Sequence, residues 1–192
     1  VIDPGYTKSI SIIGGGSGCV ITQSGSAKNT FEIGTTAVTR NLVMTGFSVS
    51  SGASSGHILV IGSGATGGLV SASINVEMTQ LNTAKSILYC RSEMQHNSFY
   101  GADWSVALSH TVAPVDVSVA GTLFNGNRFF DFRAFNATAT PFFVIANTNT
   151  TTWLVGNDFS SIQAEVCSGG LISITNSKAG MFSHIDMWDV GG

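Results

Sequence analysis

The chain is poor in charged residues and in cysteine, and both shortages restrict the class of protein to which it can belong. Charged residues make up 10% of its 192 residues, the formal net charge is -3, and Lys plus Arg number 8. Because nucleic acids and anionic membrane surfaces are bound by clustered Lys and Arg, we expect neither as a partner. The three cysteines lie far apart without metal-ligand spacing, so we expect no metal and no cofactor.

Long apolar runs are lacking too. The longest, HILVIGSG, has the length of a strand, whereas a membrane-spanning helix needs about 20 apolar residues. We therefore expect no membrane insertion. The chain does have 43% hydrophobic residues, which suffice for a large core, and 23 glycines that punctuate turns. We expect a single domain over residues 1–192, taken from a longer polypeptide.

Short β-branched and aromatic runs recur along the chain with a period near 28 residues. One series opens with SISII and continues with TFEI, HILVIG, SILYC, VDVSVAG, FFVIA and LISIT. A second series lies between these runs and includes NLVMTGFSV, LVSASINVEM and MFSHIDMW. The runs lack helical spacing and are bounded by Gly, Ser, Asn and Thr. Two interleaved strand series with one period predict an all-β parallel solenoid of about six to seven coils.

An Asn-x-Phe motif repeats in HNSFYG, GNRFFD and GNDFSS. In a stacked solenoid, equivalent residues of successive coils lie about 4.8 Å apart and form ladders along the axis. We therefore predict a structural Asn ladder and, two positions on, a Phe ladder on the same face of the strands. The predicted members are Asn75, Asn97, Asn127 and Asn157, with Phe99, Phe129 and Phe159.

The opening segment VIDPGYTKSISIIGGGSGCVITQ places a Pro-Gly-x-Tyr turn before an apolar strand and a Gly-rich turn. It resembles the first coil of the right-handed parallel β-helix of the pectate-lyase-like superfamily, as in bacteriophage tailspikes and related virion appendages. The resemblance implies a right-handed single-stranded solenoid in a virion or extracellular location. It also implies a homotrimer that contacts other virion proteins and binds cell-surface polysaccharide, which such proteins often cleave with acidic residues.

Two aspartates are the first candidates for such cleavage. Asp158 occupies the outward x position of the third motif, and we expect Asp186 on the next coil, about 5 Å away at the backbone. Two carboxylates at that distance split their pKa values into an acid and a base, as a polysaccharide hydrolase or lyase needs. Arg128 directly below Asp158 offers the alternative interpretation of a cross-strand ion pair. Glu77 and Glu93 form a second acid pair whose register stays open.

Aromatic side chains are the candidates for sugar binding, because their faces cover pyranose rings while Asn, Ser and Thr bond the hydroxyls. The candidates are Tyr100, Trp104, Trp153 and Trp188, and packing in the core or at an interface is the alternative for each. We expect a β-helix that binds or presents toward cell-surface carbohydrate. Two alternatives stay open: a polysaccharide depolymerase, which leaves the enzymatic status undecided, and a purely structural assembly or decoration protein.

Overall fold

Every regular element that the structure describes is a β-strand, and the strands stack in parallel as a solenoid of about 5 turns with a repeat of ~29 residues. The computed structural model describes residues 2, 9–16, 18–62, 67–119, 123–147, 154–175 and 177–188, with the backbone alone for Ala102, Val119, Asn147, Leu154 and 177–188. The predicted all-β parallel solenoid is confirmed, with fewer coils than the six to seven expected.

The longest strands form one sheet along the solenoid, which we call the long sheet. Its strands are β1 (Ile10–Ile13), β2 (Val20–Gln23), β5 (Leu42–Ser51), β8 (Ser73–Gln80), β11 (Ser98–Val106), β14 (Arg128–Phe135), β16 (Leu154–Glu165) and β18 (Ser177–Trp188). β1 and β2 both pair with β5, and the other strands follow in chain order. This sheet corresponds to the second predicted series.

Two further sheets complete the described coils. The second sheet contains β3 (Phe31–Ile33), β6 (Leu59–Ile61), β9 (Leu88–Cys90), β12 (Val115–Val119), β15 (Phe143–Asn147) and β17 (Ile172–Thr175). The short sheet contains β4 (Val38–Arg40), β7 (Gly68–Val70), β10 (Glu93–Gln95) and β13 (Phe124–Asn125). The short sheet was not predicted from the sequence, because strands of two or three residues are too short for their repeat to be recognised.

The first run, SISII, also differs from expectation. It forms β1, which pairs with β5 in the long sheet rather than with β3 in the second sheet. SISII therefore adds no strand to the second sheet and no separate coil there. This accounts for part of the difference between the predicted and observed numbers of coils.

A ladder of buried asparagines runs along the turn that enters the long sheet. Asn97 Nδ2 donates to Asn127 Oδ1 at 2.9 Å, and Asn127 Nδ2 donates to Asn157 Oδ1 at 3.2 Å. Each Nδ2 also donates to a backbone carbonyl of the coil before, at Leu69, Met94 or Phe124 respectively. The ladder thus satisfies backbone groups that the turn would otherwise leave unpaired.

Asn75 does not belong to this ladder, and its prediction is wrong. It lies inside β8, half-buried and opposite Thr45. The position below Asn97 is taken by Ala72, whose N–H donates to Asn97 Oδ1 at 2.9 Å.

The predicted phenylalanine ladder is confirmed. The ring centroids of Phe99 and Phe129 lie 4.8 Å apart and those of Phe129 and Phe159 lie 5.2 Å apart, with an angle of 5° between the planes in both pairs. All three rings are buried in a core that the inward faces of the sheets share. These stacked rings keep the later coils in one register.

Candidate functional site

Four strands of the long sheet have a residue in the left-handed conformation at the same level of the sheet. The φ values are 74° at Gly46, 57° at Gly101, 50° at Asp131 and 51° at Ser161. Such a residue interrupts the strand alternation, so that two consecutive side chains lie outside the core, as half-buried Phe130 and exposed Asp131 do in β14. The outer face therefore carries one extra residue per coil at this level.

Strand β8 lacks this extra residue. None of its residues has a positive φ, and SINVEM alternates strictly between partly exposed and buried side chains. Its pairing with β5 accordingly shifts by one residue between the pairs Thr45–Asn75 and Ser48–Glu77. Its pairing with β11 shifts as well. One outward side chain, Asn75, stands where each neighbouring strand has two residues.

A recess of about 170 Å³ opens on the outer face at this place, lined by Gly46, Phe47, Asn75, Glu77 and Gly101. A single water needs about 10–15 Å³ on the same scale, so the recess has room for a ligand larger than a water molecule. Glycine keeps it open, because a Cβ at Gly101 would lie 2.8 Å from Asn75 Nδ2. The recess thus follows from a residue missing in β8 and from a missing side chain in β11.

Tyr100 stands beside the recess, one coil after Asn75. Its ring stacks on Phe130 with centroids 5.3 Å apart and planes 9° apart. Its hydroxyl accepts a hydrogen bond from Ser73 Oγ at 3.1 Å. Because the stack occupies the ring face toward the following coil, the opposite face is directed toward the coil that contains the recess. Tyr100 is half-buried, so this predicted sugar-binding residue keeps an accessible surface.

Two arginines supply the positive charge among the described side chains of the long sheet, and both are engaged with acids. Arg133 lies between two carboxylates, 3.3 Å from Asp103 Oδ2 and 2.9 Å from Glu165 Oε1. These contacts raise the pKa of the Arg133 guanidinium, with Glu165 as the larger cause. Arg128 reaches Asp158 at 3.6 Å and lies over the Phe130 ring. Neither arginine is left without a carboxylate partner.

The expected adjacency of Asp158 and Asp186 is wrong. Asp158 lies opposite Arg128 on one side and Met181 on the other, whereas Asp186 lies opposite Gln163. The two aspartates are therefore about 16 Å apart along the sheet, because the last coil is short and shifts the register. The alternative interpretation of Asp158, a cross-strand ion pair with Arg128, is confirmed by the 3.6 Å contact.

The other predicted aromatics divide into buried and undescribed ones. Trp104 is 1% exposed and donates from Nε1 to the Val76 carbonyl at 2.9 Å, so its predicted exposure to sugar is wrong. Trp153 lies outside the described residues. Trp188 is described by its backbone alone, at the end of β18 opposite Glu165.

The sequence suggested Glu77 only as a partner of Glu93, and the structure separates the two. Glu93 lies in β10 of the short sheet, whereas Glu77 is exposed in β8 of the long sheet. The sequence signal for the recess is a difference between neighbouring strands. NLVMTGFSV and NSFYGADW each have a glycine directly after an outward residue, Thr45 or Tyr100, whereas SINVEM alternates strictly and has none after Asn75.

A second cluster lies on the second sheet and its groups bond one another. Arg91 forms a two-point ion pair with Asp116, at 2.7 and 3.1 Å, and lies 3.8 Å from the Tyr89 ring centroid. His57 stacks on Tyr89 at 4.2 Å and accepts a hydrogen bond from the Ser86 N–H. Burial, followed by the charge of a nearby lysine, lowers the pKa of His57 to about 4. We interpret this cluster as structural.

In the described part of the chain, no group of three or more His, Cys, Asp and Glu residues is placed to hold a metal ion. No helix among the same residues is long and apolar enough to span a membrane. Comparison with known proteins found no matching family model, no matching curated protein and no matching solved structure.

Proposed function

We propose that this chain binds a cell-surface polysaccharide through the outer face of the long sheet, with the recess beside Tyr100 as the contact site. The recess has a volume of about 170 Å³, and the half-buried ring of Tyr100 directly precedes its lining residue Gly101; this combination carries the proposal. Binding pockets for small molecules pair an apolar surface with a few directed polar groups.

The side chains around the recess suit a carbohydrate. Asn75 offers an amide donor and acceptor, Glu77 offers a carboxylate acceptor, and Thr45 and Ser48 offer hydroxyls on the adjacent strand. The face of Tyr100 provides the apolar contact that the C–H side of a pyranose requires. These groups match the alternation of C–H and hydroxyl surface on a sugar.

The scaffold behind the recess is held by core packing and side-chain contacts, which favours binding. The residues of β8 that face inward, Ile74, Val76 and Met78, are buried in the core. The ring of Tyr100 is held by Phe130 and Ser73. Since little side-chain freedom is lost when a ligand arrives, more of the contact energy appears as affinity.

The setting that we propose is a virion or extracellular appendage, in which the chain assembles as a homotrimer with other virion proteins. The resemblance of the opening segment to tailspikes and the weakly charged, hydroxyl-rich composition support this part of the proposal. Native mass spectrometry of the purified chain tests it. A mass three times that of the chain agrees with the proposal, and a stable monomer contradicts it.

The binding site is tested by retention of the protein on immobilised bacterial surface polysaccharides. Tyr100→Ala is expected to weaken retention by about tenfold, because it removes the aromatic contact. Tyr89→Ala is the matched control, since Tyr89 is also half-buried but lies on the second sheet. Equal loss in both variants, or no loss in either, contradicts the site.

The same experiment separates the alternatives. The size of each glycan is measured before and after incubation with the protein. Shortened glycans indicate a depolymerase. Since Asp158 and Asp186 are not adjacent, the catalytic carboxylates of such an enzyme would have to lie elsewhere. Absence of retention on every glycan favours the structural assembly protein.

A further inference from the structure

The recess differs from the rest of the long sheet in its electrostatics. Glu77 is an exposed carboxylate that lines the recess, and Asp131 Oδ2 lies 3.9 Å from the position that a Cβ of Gly101 would occupy. Neither acid makes a salt bridge with a described cation. A bound sugar would thus meet two uncompensated carboxylates, one on each side of Gly101.

The arginines of this face do not offset that charge. Arg133 is shared by Asp103 and Glu165, and Arg128 is paired with Asp158. An anionic ligand in the recess would therefore have to displace an existing ion pair to find a cation. It would also lie close to Glu77, and like charges at short range oppose binding.

We propose that the recess selects glycans that carry free amino groups and excludes glycans that carry uronic acids. This inference rests on the proposed function, and it adds the class of ligand. An ammonium group on a sugar in the recess donates charge-assisted hydrogen bonds to Glu77 and Asp131, while the ring contacts Tyr100. A neutral sugar keeps the ring contact and loses the ionic contribution.

Three oligosaccharides of equal length test the selection: a glucosamine oligomer, its fully N-acetylated form and a galacturonate oligomer. Binding is measured by titration calorimetry at pH about 6 in about 20 mM and about 200 mM NaCl, which differ strongly in screening length. The amino oligomer is expected to bind about tenfold more tightly than the neutral one in low salt and to lose most of this advantage in high salt. The uronate is expected to bind least.

The double variant Glu77→Gln/Asp131→Asn is expected to remove the preference, so that it binds the amino oligomer no more tightly than the neutral one at either salt concentration. Glu32→Gln, a carboxylate on the second sheet, is the matched control and is expected to keep the preference. Tighter binding of the uronate, or a preference that survives the double variant, overturns the inference while leaving carbohydrate binding intact. Failure of all three oligomers to bind overturns the proposed function and the inference together.

Discussion

The coils that contain β11, β14 and β16 and the coil that contains β8 are built on the same plan but differ on their outer face. In the first group the amides of Asn97, Asn127 and Asn157 bond one another along the axis. Each of these strands also has a left-handed residue at the same level. In β8 that residue is missing, and a recess opens on the outer face.

The comparison shows how a repeat protein can gain a recess on its outer face without interrupting its core. The missing residue of β8 is an outward one, so Ile74, Val76 and Met78 stay buried and the inward alternation continues. In the coils that contain β11, β14 and β16, which we call the regular coils, identical side chains on successive coils stack on one another and form hydrogen bonds with one another. Regular coils therefore supply stability, and the irregular coil supplies accessible polar groups.

The largest effect that we predict is a loss of stability when the asparagine ladder of the regular coils is interrupted. Asn127→Ala removes the acceptor of the Asn97 N–H and amide and the donor to the Met94 carbonyl. Because these groups are buried, we expect a loss of about 3 kcal/mol in the free energy of unfolding, measured by urea denaturation. Asn75→Ala, outside the ladder, is the control, and a loss of equal size there would contradict the distinction between the two regions.

Much of the regular region was predictable from the sequence. The spacing of 30 residues between Asn97, Asn127 and Asn157 is exact, so any solenoid with that period stacks these residues. Asn75 failed because the coil before Asn97 is 25 residues long rather than 30, which places Ala72 and not Asn75 at the ladder position. Asp186 failed for a similar reason, since the last coil is shorter than those before it.

The outer face was less predictable, because left-handed residues reverse the alternation of a strand. Counting outward from buried Phe99 by simple alternation places Trp104 outside, but Gly101 shifts the count and Trp104 is buried. The recess itself arises from an absent residue and an absent side chain. No sequence motif predicts such a recess, and it can be recognised only when the sequences of neighbouring coils are aligned with one another.

A smaller effect concerns acid stability. His110, in the corner after β11, is buried with both ring nitrogens unpartnered, and burial lowers its pKa; that of His57 is lowered to about 4. In the unfolded state each of these two histidines takes up a proton near pH 6.5, whereas in the folded state each does so only at lower pH. Their contribution to the free energy of unfolding is therefore constant above about pH 6.5 and falls toward pH 4.

Thermal unfolding midpoints at pH about 7 and about 5 check this pH dependence. We expect a lower midpoint at the acidic pH for the natural chain. His57→Gln/His110→Leu is expected to show a smaller difference between the two pH values. An undiminished difference in that variant would contradict the assignment to these histidines.

The most direct test of the account inserts one glycine between Asn75 and Val76, which gives β8 the extra outward residue of its neighbours. If the missing residue creates the binding site, the variant stays folded, with an unfolding free energy within about 1 kcal/mol of the natural chain, and no longer binds the oligosaccharides that the natural chain binds. A folded variant that binds them with unchanged affinity would contradict the account.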